Sequence, residues 1–305
     1  MTDVVVLQPI AESGLAMLEA AGLSLYRVTP GKDAPEAHLS SARAVITRDA
    51  GFSEAQLARA RRLEVIAVHG TSVAKVALAA AAARGVAVVA TPGANARSVA
   101  ELALALMLAG ARRLTEADAA VRAGAFDFRY SQRSFELSGR TLGLVGFGHV
   151  ARALARLVAG FDMTLLAATR HAADADLEAL GVARVDLDEL CARADIVSLH
   201  ALPTAAPLFD ATRLARMKTG AILINTARGA LVDENALADA LCAGRLAAAG
   251  LDVFADEPPP PGHPLFAAPR LVLAPHVGGA TREALERASR AVATRLLEAL
   301  GLSPA

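Results

Sequence analysis

Residues 142–161 read LGLVGFGHVARALARLVAGF: an apolar run of strand length, a glycine turn, then apolar residues at helical spacing. Gly146, Gly148 and Ala151 stand in the G-x-G-x-x-G/A places of a dinucleotide-binding turn. The first glycine permits the tight turn and the second lets backbone approach a pyrophosphate. The small third residue lets the helix pack on the strand. The helix start also offers free N–H groups to an anion. His149 and Val150 open that helix and are candidates for cofactor contact, with a solvent-exposed turn residue as the competing reading of His149. A turn needed only for packing is the alternative for the whole motif; the strand before it and the amphipathic helix after it favour the dinucleotide.

The alternation of apolar runs and alanine-rich helical stretches extends outward over nearly the whole chain. VVVL (4–7), AVIT (44–47), VIAV (65–68), VAVV (86–89), LGLV (142–145), TLLAA (164–168), DIVSL (195–199), AILIN (221–225) and LVLA (271–274) read as strands. Continuously apolar strands separated by helices imply parallel sheets covered on both faces, the doubly wound α/β arrangement. So many strands exceed one ordinary sheet, and a long helical stretch, 94–124, separates the early strands from the later ones. The expected fold class is therefore α/β with two doubly wound parallel-sheet domains and a domain change near residue 95. The proline run 258–261 fits neither a helix nor a central strand and reads as a rigid surface loop.

Composition narrows the partners. The 305 residues are 54% hydrophobic, enough for large cores, and carry 31 Lys plus Arg against 31 Asp plus Glu. There is no basic excess of the kind that drives binding to nucleic acid or an anionic membrane, so a small-molecule partner is expected. No apolar stretch is long enough to span a membrane and the N-terminus lacks a cationic leader, so the chain reads as cytoplasmic. Cys191 and Cys242 lie in helix-like alanine and leucine contexts and read as buried packing residues without a disulfide. No metal ligands are assigned.

Three polar residues follow strand or loop ends in the second half: Arg228 in NTARGALVDE, Glu257 in LDVFADEP and His276 in APHVGGAT. Ligands of open α/β sheets bind outside the carboxyl ends of strands, so such groups converge on a bound cofactor. These segments, together with TPGANARSVAE (91–101), GFDMTLLAA and DIVSLH, resemble the signature segments of the D-isomer-specific 2-hydroxyacid dehydrogenase family over about residues 64–281. The resemblance implies a Rossmann-type cofactor domain, 95–277, inserted into a flavodoxin-like substrate domain, 1–94 with 278–305. It implies hydride transfer between a nicotinamide cofactor and a small 2-oxo or D-2-hydroxy acid such as glyoxylate, hydroxypyruvate or phosphohydroxypyruvate. His276 is then the acid that protonates the carbonyl oxygen, and Glu257 fixes its tautomer. Arg228 holds carboxylate and carbonyl oxygen in a fork of donors, while Asp252 neighbours the nicotinamide or simply caps a strand end.

The same resemblance shows where this chain departs. VIAVHGTSVAKVAL (65–78) is similar to a loop usually closer to GxGxDxID, whose backbone N–H groups bind the substrate carboxylate; Gly70, Thr71 and Ser72 are the candidates here. Ser72 replaces a glycine and Ala74 an aspartate, which leaves backbone donors but changes loop shape. Arg48, after the AVIT strand, either reaches a distal substrate group such as a phosphate or is an exposed structural arginine. In GFDMTLLAATR (160–170) Thr169 takes the place of the aspartate that would hydrogen-bond the ribose hydroxyls of NAD and repel a 2′-phosphate. Arg170, with Thr169 and His171 as further donors, then offers the charge that NADP needs, so NADP is expected to be preferred with NAD possible. An Arg170 that only faces solvent is the alternative.

A second class of function stays open: corepressors similar to this family keep the fold and act as nucleotide-sensing binding proteins. Formate dehydrogenase, also related, normally lacks a glutamate at the place of Glu257 and is discounted. The aliphatic run SVAELALALMLAGA (98–111) exceeds one helix face, which with the family likeness suggests a homodimer. A core helix is the alternative. No further regulatory module is expected.

Overall fold

The computed structural model describes residues 2–131 and 133–303, and among them twelve strands form two wholly parallel sheets. The first contains β1 (Val4–Val6), β2 (Leu25–Arg27), β3 (Ala44–Thr47), β4 (Val65–Val68) and β5 (Ala87–Ala90), in the order β2-β1-β3-β4-β5. The second contains β6 (Thr141–Val145), β7 (Thr164–Ala168), β8 (Val182–Arg184), β9 (Ile196–Leu199), β10 (Ala221–Asn225), β11 (Leu246–Leu251) and β12 (Leu271–Leu273), in the order β12-β11-β10-β9-β6-β7-β8. Central strands such as β3, β4, β9 and β10 are buried at every position, as strands covered on both faces must be. Strand order reverses between β1 and β3 in the first sheet and between β6 and β9 in the second, so each sheet has one switch point where ligands bind.

The chain divides into two compact units, Met1–Asn95 with Ala280–Ala305, and Ala96–Gly279, where the sequence suggested divisions after 94 and 277. The C-terminal helix Arg282–Ala299 belongs to the first unit. Its Val292, Ala293, Leu296 and Leu297 are buried with Val4, Val6 and Ala67 of the sheet. It packs so closely on the helix Glu12–Ala20 that a Cβ at Gly14 would stand 2.5 Å from the Ser289 carbonyl oxygen.

Three strands escape the sequence pattern. β2 and β8 are short edge strands with exposed polar residues, so they lack the apolar run. β11 is LAAAGL, which reads as helical, yet its small residues are required by packing. A Cβ at Gly250 would come within 2.8 Å of Leu106 Cβ, on the helix Ala96–Arg112 that crosses this strand.

That helix also bears on the aliphatic run 98–111. Ala100, Ala103, Leu106, Met107 and Ala111 are buried in the second unit's own core with Leu154, Ile222 and Ile224, while Leu102, Leu104 and Leu108 are only partly buried, so one side of the run serves the core. Exposed large apolar residues lie further on, at Leu114, Val121, Phe126 and Tyr130. Cys191 is buried, but Cys242 is exposed rather than packed in a core; both are free thiols. No helix among the described residues is long and apolar enough to cross a membrane.

Candidate active site

The glycine turn follows β6 directly. Gly146 has φ +88°, a conformation that L side chains avoid, and a Cβ there would stand 2.7 Å from the His200 carbonyl oxygen. Both facts demand glycine. Gly148 caps the helix His149–Leu157, which has no side-chain N-cap bond, so its first N–H groups are left for an anion. Ala151 is fully buried against the sheet. His149 is exposed at the helix start, whereas Val150 is half-buried and packs on the core, which makes it a wall rather than a polar contact.

Beside this turn lies the end of β7, where Ala168 pairs with Val145 and its carbonyl accepts the Gly146 N–H at 2.8 Å. Thr169 comes next, with Oγ1 accepting the Ala172 N–H at 3.4 Å. Arg170 and His171 are exposed. The turn is held from β8 by Arg184, whose guanidinium donates to the Thr169 and Ala172 carbonyls at 2.7 and 2.6 Å and pairs with Asp174. With Arg184 so engaged, Arg170 is the cation of this turn that makes no ion pair among the described residues. Arg184 was not anticipated, because it sits on an edge strand with no sequence signature.

The edge of β10, β11 and β12 carries the polar set. Asn225 ends β10 and folds the next turn: its Oδ1 accepts the Ala227 N–H at 3.1 Å and its Nδ2 donates to the Arg228 carbonyl at 2.9 Å. Arg228 is half-buried with one Nη donating to the Ala227 carbonyl at 2.6 Å, leaving the rest of the guanidinium without a partner among the described residues. Gly229 follows because no Cβ fits: it would lie 1.8 Å from the Phe254 carbonyl carbon. That contact seats the loop after β11 against the turn after β10.

Asp252 follows β11 and is almost wholly buried. Its Oδ1 accepts the Val277 N–H at 2.7 Å and its Oδ2 the Gly278 N–H at 2.8 Å. Burial pushes its carboxyl above the usual carboxylate range, against the pull of the two amides. Both oxygens are thus occupied in clamping the segment after His276, so the geometry gives Asp252 a positioning role. The clamp matters because His276 itself has φ +55°, a strained value for a non-glycine residue that persists only where surroundings enforce it.

His276 Nδ1 lies 2.8 Å from Glu257 Oε2. A carboxylate only accepts, so Nδ1 carries hydrogen and Nε2 is left to exchange a proton with a ligand. The other oxygen of Glu257 accepts the Phe254 N–H at 3.2 Å, which orients the carboxylate. A further tier was missed by the sequence reading. Glu234 is buried, accepts the Ala255 N–H at 2.8 Å and pairs with His263 Nε2 at 3.1 Å, fixing the loop that carries Glu257. Its only signal is its place in NTARGALVDE.

Between these two clusters lie polar atoms with no hydrogen-bond partner among the described residues: Ser198 Oγ on β9, Thr226 Oγ1 after β10, and His200 Nε2 after β9. Register pairs Ser198 with Ile224 and with Leu144, so Ser198, His200 and Thr226 share one sheet face beside Gly146. Burial lowers His200 to about 4, so its ring is neutral at physiological pH. Such orphaned atoms, with the glycine cradle and the uncapped helix, fit a polar, anionic, elongated ligand along the carboxyl edge.

In the first unit Arg48 follows β3 and donates from Nη1 to the Pro9 carbonyl at 2.9 Å, a structural bond. Gly70 is drawn inward: its N–H donates to Thr91 Oγ1 at 2.9 Å and its carbonyl accepts the Thr91 N–H at 2.8 Å. It therefore shapes the loop rather than offering an amide. Thr71 and Ser72 are exposed, and Ser72 Oγ turns back to accept the Ala74 N–H at 3.4 Å.

Comparison with known proteins places the chain in a family. A model described as D-isomer specific 2-hydroxyacid dehydrogenase, NAD binding domain, matches residues 104–278. D-3-phosphoglycerate dehydrogenase of Mycobacterium leprae is 42% identical over 268 residues, 87% of this chain and 50% of that protein. Glyoxylate reductase of Thermococcus litoralis is 40% identical over 251 residues, 79% of this chain and 75% of that protein. The crystal structure of the TT0316 protein from Thermus thermophilus superposes with a TM-score of 0.87 at 38% identity, covering 99% of this chain and 98% of that one. The chain belongs to the D-isomer specific 2-hydroxyacid dehydrogenase family. It spans about half the length of the phosphoglycerate dehydrogenases it matches.

Proposed function

We propose that the chain reduces small 2-oxo acids to D-2-hydroxy acids and prefers NADPH. The observation that carries this reading is the His276–Glu257 pair, 2.8 Å apart, on the same sheet edge as the Gly146–Gly148 turn. A bound reduced nicotinamide supplies a hydride for a carbonyl carbon. His276 Nε2 gives its proton to the carbonyl oxygen, so that no free alkoxide forms, and Glu257 holds the ring at Nδ1 throughout. The open part of the Arg228 fork holds the acid's carboxylate and polarises its carbonyl. The Gly148 turn and the start of the helix His149–Leu157 receive the pyrophosphate. Glyoxylate, hydroxypyruvate and phosphohydroxypyruvate are the first substrates to assay, given the names of the relatives. In the first unit the N–H groups of Thr71 and Ser72 are the donors available to an anionic group.

NADPH preference rests on Thr169 and Arg170. A neutral Thr169 removes the repulsion of a 2′-phosphate, and Arg170, exposed beside the glycine turn, supplies a charge for it. The wild type should favour NADPH over NADH in kcat/KM by at least roughly tenfold, about 1.4 kcal/mol, a small demand on a charge-assisted phosphate contact. Arg170→Ala should reduce the preference chiefly through KM for NADPH, and Thr169→Asp should shift it toward NADH. A wild type that favours NADH overturns the assignment, and failure to turn over any 2-oxo acid overturns the activity.

The exposed apolar side chains of Leu114, Val121, Phe126 and Tyr130 support assembly as a homodimer through the second unit. Light scattering at micromolar concentration is expected to give twice the chain mass of 31.3 kDa; a monomeric mass refutes this.

A further inference from the structure

We propose that a cavity beside the His276–Glu257 pair receives an apolar substrate side chain, so that 2-oxo acids with a branched aliphatic or aromatic group are better substrates than glyoxylate or a phosphorylated acid. This rests on the 2-oxo acid reading above and names the substrate class within it. The cavity measures about 420 Å³, within the range of sites that hold small organic ligands. His276 and Glu257 form one wall. The remainder is Phe254, Pro258, Pro259, Phe266, Leu273 and Pro275, with Ala274 between the last two.

The chemistry of these walls decides what fits. No lysine or arginine lines the cavity, and its one carboxylate, Glu257, would face a phosphate or second carboxylate at close range. An anionic side chain would therefore meet like charge and an apolar surface, with the His276 ring, already paired with Glu257, as its sole counter-charge in the lining. An apolar side chain would instead cover Phe266 and Leu273, which remain 51% and 38% exposed although both stand at the cavity wall.

The walls are also built to stay in place. Pro258 and Pro259 have no N–H to present to the cavity. Phe266 lies in the 3-10 turn Pro264–Phe266, capped by His263 Nδ1, which accepts the Leu265 N–H at 3.3 Å while Nε2 is paired with Glu234. Leu273 closes β12, the edge strand of its sheet, so no further strand among the described residues covers it. A preformed apolar wall adjoining the proton donor lets side-chain burial favour the reacting geometry, which for one large apolar group amounts to about ten- to hundredfold in kcat/KM.

The test compares kcat/KM for glyoxylate, phosphohydroxypyruvate, 4-methyl-2-oxopentanoate and phenylpyruvate, with both nicotinamide cofactors, in the wild type and in Phe266→Ser. The wild type should favour the two apolar acids over glyoxylate by at least about tenfold. In Phe266→Ser, a change at a half-exposed position, the ratio of apolar acid to glyoxylate should fall by about tenfold. A wild type that reduces glyoxylate or phosphohydroxypyruvate at least as well as the apolar acids overturns the proposal and leaves 2-oxo acid reduction standing. An apolar preference that Phe266→Ser does not change overturns it as well, because the side chain then lies elsewhere. Turnover of none of the four acids refutes the underlying activity and the proposal together.

Discussion

His276→Ala is expected to lower kcat by about 10²- to 10⁴-fold, the range in which a positioned general acid acts. The expectation comes from three features that converge on one ring. Glu257 Oε2 accepts from Nδ1 at 2.8 Å, so the ring is oriented with Nε2 outward. Asp252 binds the two amides that follow, Val277 and Gly278, and so enforces the left-handed backbone at His276. Glu234, through the Ala255 amide, steadies the loop from which Glu257 reaches in. Alanine removes only the ring and leaves this scaffold, since His276 is an exposed residue and not part of either core. Cofactor affinity, read by fluorescence titration, should therefore change little while turnover collapses. A variant with near-normal kcat would take His276 out of the chemistry.

Much of this site could be read along the chain because each part obeys a local constraint. Gly146 must be glycine for its φ and for the approach of the His200 carbonyl; Gly229 must be glycine because Phe254 fills the place of a side chain. Constraints of that kind leave fixed spacings, and NTARGALVDE and LGLVGFGHVA carry them. What the chain did not announce depends on partners far away in sequence. β11 was hidden because a strand under a closely packed helix needs alanine and glycine, the composition of a helix. The run 98–111 is more apolar than one face requires, and β10, β11 and the helix His149–Leu157 together cover the part that holds Ala103, Leu106 and Met107, which local spacing could not show. Gly70 looked like an amide donor until Thr91, 21 positions later, engaged its N–H. Arg184 and His263 have no local pattern at all, since each matters only through the loop it holds.

Arg228→Lys should be nearly as damaging as loss of the acid, with kcat/KM for the 2-oxo acid falling by about 10²- to 10³-fold, the effect of removing one preorganised donor from a developing oxyanion. The position is well suited to such a test because its backbone is fixed independently of its side chain. Asn225 holds the Arg228 carbonyl, and Gly229 is seated against Phe254. A lysine at 228 would inherit that backbone and keep the positive charge. What it loses is geometry: one Nη of Arg228 is tied to the Ala227 carbonyl, which fixes the plane of the guanidinium and aims its remaining donors. A flexible ammonium has no plane to fix and cannot meet two oxygens in parallel. If charge alone mattered, lysine would retain most of the activity; if the fork matters, both KM for the acid and kcat should suffer while the affinity for the cofactor is kept. Unchanged kcat/KM in Arg228→Lys would mean that the arginine serves the turn after β10 rather than the substrate.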